Sequence, residues 1–304
     1  MNLHLDKEAF SELMIGAANE LSIPTNIIEK DYYVTITLKA LFERTKDLVF
    51  KGGTSLTKCY QLLDRFSEDI DLSYTAESGM PGESRKRQLK KNIVGTMEEF
   101  GFPINNLETT RSRRNYNCYR ASYSSIYEQK GILKSELVIE TYVAMLPFPT
   151  TKRMVDNYIY RFLQKINRLD LAEMYDLMPF EVTTQAIERT LVDKVFALCD
   201  YYMQGKTDGH SRHLYDIHKI VECIGISEKI AKLIPEVRAV RSEVVVCPSA
   251  KEGICVAKLL REILETQIYK NDYENLTMRL LFVPETYETV TRSLKKIVDS
   301  GMWD

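Results

Sequence analysis

Two aspartates two residues apart, Asp69 and Asp71, stand in the run Arg65-Phe66-Ser67-Glu68-Asp69-Ile70-Asp71-Leu72, a short way beyond Lys51-Gly52-Gly53-Thr54-Ser55-Leu56. On a strand, side chains alternate between faces, so both carboxylates point one way while Ile70 and Leu72 point into the opposite, buried face. Paired carboxylates repel each other unless a cation lies between them. A hard divalent ion such as Mg²⁺, or Mn²⁺ in its place, suits oxygen ligands and keeps positions open for substrate phosphates. Gly52 and Gly53 let backbone N–H groups come close to an anion, and a helix beginning at Thr54 or Ser55 turns its positive end to the same anion. A phosphate site followed by a metal site is the combination that nucleotide chemistry requires.

These runs resemble the first motif of the AbiEii/AbiGii toxin family, within the DNA polymerase β-like nucleotidyltransferase superfamily. The Arg-Phe-Ser-Glu-Asp-x-Asp form is the narrowest part of the resemblance, and Glu29-Lys30-Asp31-Tyr32 looks like the family's opening. Later runs are similar to the family's later motifs. They are Glu188-Arg189-Thr190 leading to Lys194, and Arg212-His213-Leu214-Tyr215-Asp216. The resemblance spans residues 29 to 220, and residues 224–304 carry no motif. The superfamily's third acid comes from a neighbouring strand. In Ser135-Glu136-Leu137-Val138-Ile139-Glu140, Glu136 and Glu140 share a face, and Glu140 resembles the family pattern more closely.

The resemblance implies a Mg²⁺-dependent nucleotidyltransferase acting as the toxin of a toxin–antitoxin or abortive-infection system. Asp69, Asp71 and Glu140 would hold metal. Gly52, Gly53, Thr54 and Ser55 would hold the triphosphate. Lys194 would offset phosphate charge, Arg212 offers a planar fork for phosphate, and Asp216 would orient Lys194, bind the nucleotide or assist proton transfer. The implied partners are an NTP, a tRNA 3′ end or another RNA acceptor, and a cognate antitoxin, protein or RNA. Two other readings compete: transfer to a protein hydroxyl, and a nucleotide-binding regulator without turnover. Taken singly, Lys194 could instead pair with Glu188 or Asp200, and Asp216 with Arg212. His210, His213 and His218 lack a matching set of metal-ligating residues and read as ordinary helix histidines.

The totals narrow the class. At 304 residues, 44% hydrophobic and 28% charged, the chain can bury a sizeable core. A net charge of −2 excludes a global nucleic-acid coat but not a local basic patch. Six dispersed cysteines without a Cys-x-x-Cys pair argue against a zinc ribbon and suit a reducing compartment. There is no signal-peptide pattern and no apolar run long enough to span a membrane, so a cytoplasmic enzyme is expected.

The elements that must position these residues are also readable. Helices are predicted over 6–22, 24–44, 54–63 and 83–100, and strands over 47–51, 69–74 and 133–145, with strand pairing within 107–125. The helix of 83–100 is basic, with Arg85, Lys86, Arg87, Lys90 and Lys91. Arg111, Arg113 and Arg114 follow, with Tyr116, Tyr119 and Tyr123 as candidates for base stacking. The second half reads as helix over 185–204, 211–223, 226–238, 252–268 and 286–299. The expected fold is therefore α+β. Residues 1–150 form a nucleotidyltransferase-type mixed sheet with flanking helices, and residues 151–304 form a mainly helical domain that completes the nucleotide site.

Overall fold

The computed structural model describes residues 1–75, 79, 81–127 and 135–304. Its helices, in chain order, are α1 (Lys7–Leu21), α2 (Thr25–Arg44), α3 (Gly52–Lys58), α4 (Glu83–Phe100), α5 (Tyr158–Lys165), α6 (Leu169–Met174), α7 (Ile187–Met203), α8 (Arg212–Ile224), α9 (Glu228–Ser242), α10 (Val256–Thr266), α11 (Lys270–Asn275) and α12 (Tyr287–Asp299). The strands are β1 (Leu48–Lys51), β2 (Ile70–Tyr74), β3 (Tyr116–Ser122), β4 (Glu136–Tyr142), β5 (Thr150–Val155) and β6 (Phe180–Gln185). They form one mixed sheet in the order β3-β4-β2-β1-β6-β5, as the α+β expectation requires.

The chain divides into two compact units. One holds Met1–Cys59, Glu68–Val143 and Thr150–Thr184, and the other holds Tyr60–Ser67, Ala144–Pro149 and Gln185–Asp304. In the first unit the sheet takes two strands from beyond residue 150. No strand is predicted there, because β5 does not alternate cleanly: Thr150 to Met154 are all at least partly exposed and only Val155 is buried. The 133–145 strand prediction starts at Leu133, which lies outside the described residues; β4 itself runs Glu136–Tyr142. Within 107–125 only β3 forms. Tyr119 and Tyr123 are core residues, and Tyr123 packs on Tyr33 at 4.2 Å between ring centroids. Of the three tyrosines proposed for stacking, Tyr116 alone is exposed.

Helix α2 shows why the Glu29-Lys30-Asp31 run sits where it does. All three side chains are buried, and each meets a partner distant in sequence. Glu29 accepts from the Ser125 hydroxyl and from the Ile126 backbone N–H at 2.9 Å. Asp31 accepts from Lys58 Nζ at 2.5 Å and from the Tyr158 N–H at 3.0 Å. Lys58 donates further to Thr35 Oγ1 at 2.6 Å. This buried polar cluster ties α2 to α3, the helix that opens with the two glycines, and to the start of α5.

The second unit is helical. Helix α7 packs against α8 and α9, and α12 packs along α8. Its insertion from earlier in the chain is stitched in by backbone bonds, Phe282 N–H to Asp64 O at 2.7 Å and Phe66 N–H to Leu280 O at 3.3 Å. The motif-free tail thus has a structural task. His218 of α8 bonds Ser293 of α12 at 2.8 Å, and Trp303 packs edge-on against Phe196 of α7.

Replacing Lys58 by Met removes one member of the buried pair and leaves the Asp31 carboxylate short of its cation. A loss of about 3–5 kcal/mol is expected, read as a lower urea midpoint. A midpoint equal to that of the wild type would contradict the role given to this pair.

Candidate functional site

The first unit gathers the carboxylates by strand register. Strand β2 lies between β1, antiparallel to it, and β4, parallel to it, so Asp71 stands opposite Lys51 on one side and Glu140 on the other. Cys118 of β3 continues the row beside Glu140. Asp69 precedes β2 by one residue and shares the face of Asp71. The other face is closed by Ile70, Leu72, Leu137 and Ile139, all fully buried. Hydrophobic alternation therefore fixes which way the acids point, since a one-residue slip would send them into the core.

Glu136 and Glu140 are separated by what surrounds them. Glu136 is held by Arg120 Nη1 at 2.8 Å and lies four residues from the row that contains Asp71. Glu140 lies in that row and accepts from the Tyr116 hydroxyl at 3.0 Å. Lys51 lies over the Tyr142 ring at 5.2 Å, so its ammonium stays on the same face.

Gly52 opens α3 with φ +78°, in the left-handed region that favours glycine. A Cβ built there would lie 2.7 Å from Asp71 Cγ, so the Asp71 carboxylate rests directly against the glycine backbone. Ser55 returns its hydroxyl to Gly52 O at 2.9 Å, which holds the turn, and Thr54 and Ser55 are both buried. The backbone N–H groups of Gly52 and Gly53 belong to the first turn of α3, where no intrahelical acceptor exists.

This donor set fits a hard divalent cation: carboxylate oxygens only, on one face of adjacent strands about 4.8 Å apart. Among the described residues no three metal-ligating side chains are already drawn into one shell. The acids stand spaced across the face.

The second unit places Lys194 and Asp216 together. Lys194 Nζ donates to Asp216 Oδ2 at 2.6 Å. Arg65 grips the same carboxylate with both prongs, Nε to Oδ1 and Nη2 to Oδ2, each at 2.8 Å. Asp216 is wholly inaccessible to solvent. Burial would push its carboxyl up, but the Arg65 and Lys194 charges outweigh that and hold it well below the usual carboxylate range. Burial pushes Lys194 down, with Asp216 opposing. The alternative pairings are occupied otherwise. Glu188 takes Lys229 at 2.5 Å, Asp200 takes Arg241 at 2.6 Å, and Arg212 is exposed at the start of α8. The histidines serve packing: His210 stacks on Tyr201 at 3.5 Å between centroids, and His213 lies behind it.

Arg65 had no assigned role in the sequence reading, although it stands in the quoted motif. Its signal is the coincidence of an arginine just before the aspartates with an aspartate on a helix whose neighbours are apolar. Tyr116, Arg120 and Lys30 also reach the carboxylate face or its edge, and no spacing rule identifies them, because strand pairing brings them there.

A family model described as "Nucleotidyl transferase AbiEii toxin, Type IV TA system" matches residues 37–299. Among solved structures, the chain is similar to MenT4, a nucleotidyltransferase toxin of Mycobacterium tuberculosis H37Rv. The two share 16% identity over 96% of this chain and 97% of that one, with a TM-score of 0.47. No curated protein matches.

Replacing Arg65 by Met strips Asp216 of its forked partner and is expected to cost about 3 kcal/mol or more at neutral pH. Because the folded pKa of Asp216 lies below the unfolded value, its contribution is full above about pH 4 and is lost as pH falls further. Urea midpoints should therefore drop on acidification below pH 4, and drop less in Asp216→Asn. Equal slopes in the two proteins would contradict this assignment.

Proposed function

This chain belongs to the AbiEii nucleotidyltransferase toxin family of type IV toxin–antitoxin systems, and we propose that it transfers a nucleotide from an NTP to an RNA acceptor, the tRNA 3′ end, with Mg²⁺ or Mn²⁺. The observation that carries the reading is the row Lys51–Asp71–Glu140, with Asp69 on the same face and the Gly52 turn pressed against Asp71. Carboxylates beside a helix-opening glycine turn, whose first N–H groups suit phosphate oxygens, support the reading, because nucleotidyl transfer uses that pairing.

Asp69, Asp71 and Glu140 are the proposed metal ligands. Bound there, the ion would offset charge on the reacting phosphate and acidify the acceptor hydroxyl. The chain's own residues do the rest. The N–H groups of Gly52 and Gly53, with Thr54 and Ser55 shaping the turn, hold phosphate oxygens. The acceptor hydroxyl attacks the α-phosphorus, the bond to pyrophosphate breaks, and Glu140 takes the hydroxyl proton. Lys194 and Arg212 are the proposed cations for the triphosphate and the departing pyrophosphate. Asp216, gripped by Arg65, orients the Lys194 ammonium.

A basic surface supports RNA as the acceptor. The first turns of α4 and the 110–115 loop are held together by Lys86 on Asn115 and Lys90 on Thr110 O. Arg87, Lys91, Arg111 and Arg114 are exposed there. Local positive charge on a chain of net charge −2 suits a phosphate backbone. No helix among the described residues is long and apolar enough to cross a membrane; cytoplasmic action and a cognate antitoxin complete the proposal.

The test is purified protein incubated with total tRNA, Mg²⁺ and each labelled NTP in turn, with Asp69→Ala alongside. Label should enter tRNA from the preferred NTP and fall about a hundredfold or more in the variant. Label appearing only in protein, or transfer surviving in Asp69→Ala, would overturn the reading.

A further inference from the structure

A second feature of the carboxylate face is a cavity of about 250 Å³ lined by Lys30, Glu68, Asp69, Arg120, Glu136 and Glu140, with Val138 among them. It lies on the β4–β3 side of the aspartates. The Gly52 turn lies on the other, β1 side of Asp71. Continuing the register of β2 with β4 places Asp69 level with Val138, and Arg120 of β3 is opposite Val138. Asp69 therefore separates a phosphate-binding turn from a charged cavity.

In-line transfer requires the donor phosphate and the attacking hydroxyl to approach the metal-binding acids from different sides. With the triphosphate at Gly52, the attacking hydroxyl comes over β4 and β3. The chemistry of the cavity agrees. Lys30 is 1% exposed, and its ammonium reaches the cavity wall, donating to Glu136 O and pairing with Glu68 Oε2 at 2.8 Å. Arg120 is about half exposed, steadied by Glu136 at 2.8 Å, with its remaining N–H groups available to a ligand. The lining thus offers the Arg120 guanidinium for a phosphate and carboxylate acceptors for ribose hydroxyls. Val138 is its one apolar side chain, so it has no platform for a base.

Tyr116 connects this cavity to the basic surface. Four residues before Arg120 on β3, about 13 Å away at strand rise, its exposed ring stands next to the 110–115 loop and its hydroxyl holds Glu140. A strand of RNA can lie on the α4 and 110–115 surface, pass Tyr116 and end in the cavity.

We propose that this cavity is the acceptor subsite, seating the ribose-phosphate of the RNA's terminal nucleotide so that its hydroxyl meets Asp69 and Glu140. The inference rests on the RNA-acceptor reading above and adds the place and direction of entry. Because the lining engages sugar and phosphate, the subsite discriminates little among terminal bases.

Steady-state transfer to total tRNA decides it, with the KM for tRNA and the KM for the incorporated NTP measured separately. Arg120→Ala removes a surface cation with small risk to the fold, and Val138→Phe fills the cavity from the solvent side of β4. Each should raise the tRNA KM about tenfold, the loss of one charged hydrogen bond or more, with NTP KM and urea midpoint within about twofold and a few tenths of a kcal/mol of wild type. An unchanged tRNA KM in both variants, or a rise in NTP KM instead, overturns the subsite. A folded wild type that labels no tRNA overturns the acceptor reading itself and this inference with it.

Discussion

Mutual repulsion among carboxylates is the constraint around which the first unit is built. Asp69, Asp71 and Glu140 share one face of adjacent strands, and nothing in their own chemistry favours that arrangement. It is imposed by the buried side of the same strands, where Ile70, Leu72, Leu137 and Ile139 admit no water. Burial of one such aliphatic side chain is worth about 1.5–3 kcal/mol, so four of them outweigh the repulsion among partly solvated acids spaced across the opposite face. The Gly52 turn closes in on Asp71 at a distance only glycine permits. The sheet therefore gathers acidic side chains on one face, with Lys51 beside Asp71 in the same row.

The second unit treats charge in the opposite way. Asp216 is removed from solvent entirely and matched against Arg65 and Lys194 within it. Burying three ionised groups is costly, and the forked geometry with short distances is what offsets the cost. The same bonds fix the Lys194 ammonium in one place, buried against the Asp216 carboxylate. The tail from 224 onward contributes through α12, which packs along α8 and so sets the position of Asp216.

Much of this could be read from residue types. The glycine–aspartate run reads as a candidate phosphate and metal site because two independent local signals, φ-permissive glycines and period-two acids, coincide there, and the structure sets Gly52 directly against Asp71. Four of the five long second-half helices lie within two residues of expectation at their starts, and α10 begins four residues later than predicted. What was not legible depends on pairing. Whether Glu136 or Glu140 stands beside Asp71 follows from the β2–β4 register, which sequence does not print. Tyr119 and Tyr123 looked like stacking platforms until burial showed them in the core, and the strands β5 and β6 lacked a clean alternating pattern. Arg65 was visible but mute, because its partner lies 151 residues away.

The proposed chemistry depends on a divalent cation at the carboxylate face. The most direct measurement is binding of Mn²⁺, followed by electron paramagnetic resonance in the presence of an NTP, for wild type, Asp71→Asn and Glu140→Gln. Protein-dependent Mn²⁺ binding is expected in the wild type, weakened at least tenfold in Asp71→Asn and measurably in Glu140→Gln, with the urea midpoints retained or raised as repulsion is relieved. Mn²⁺ binding identical in all three proteins would contradict it.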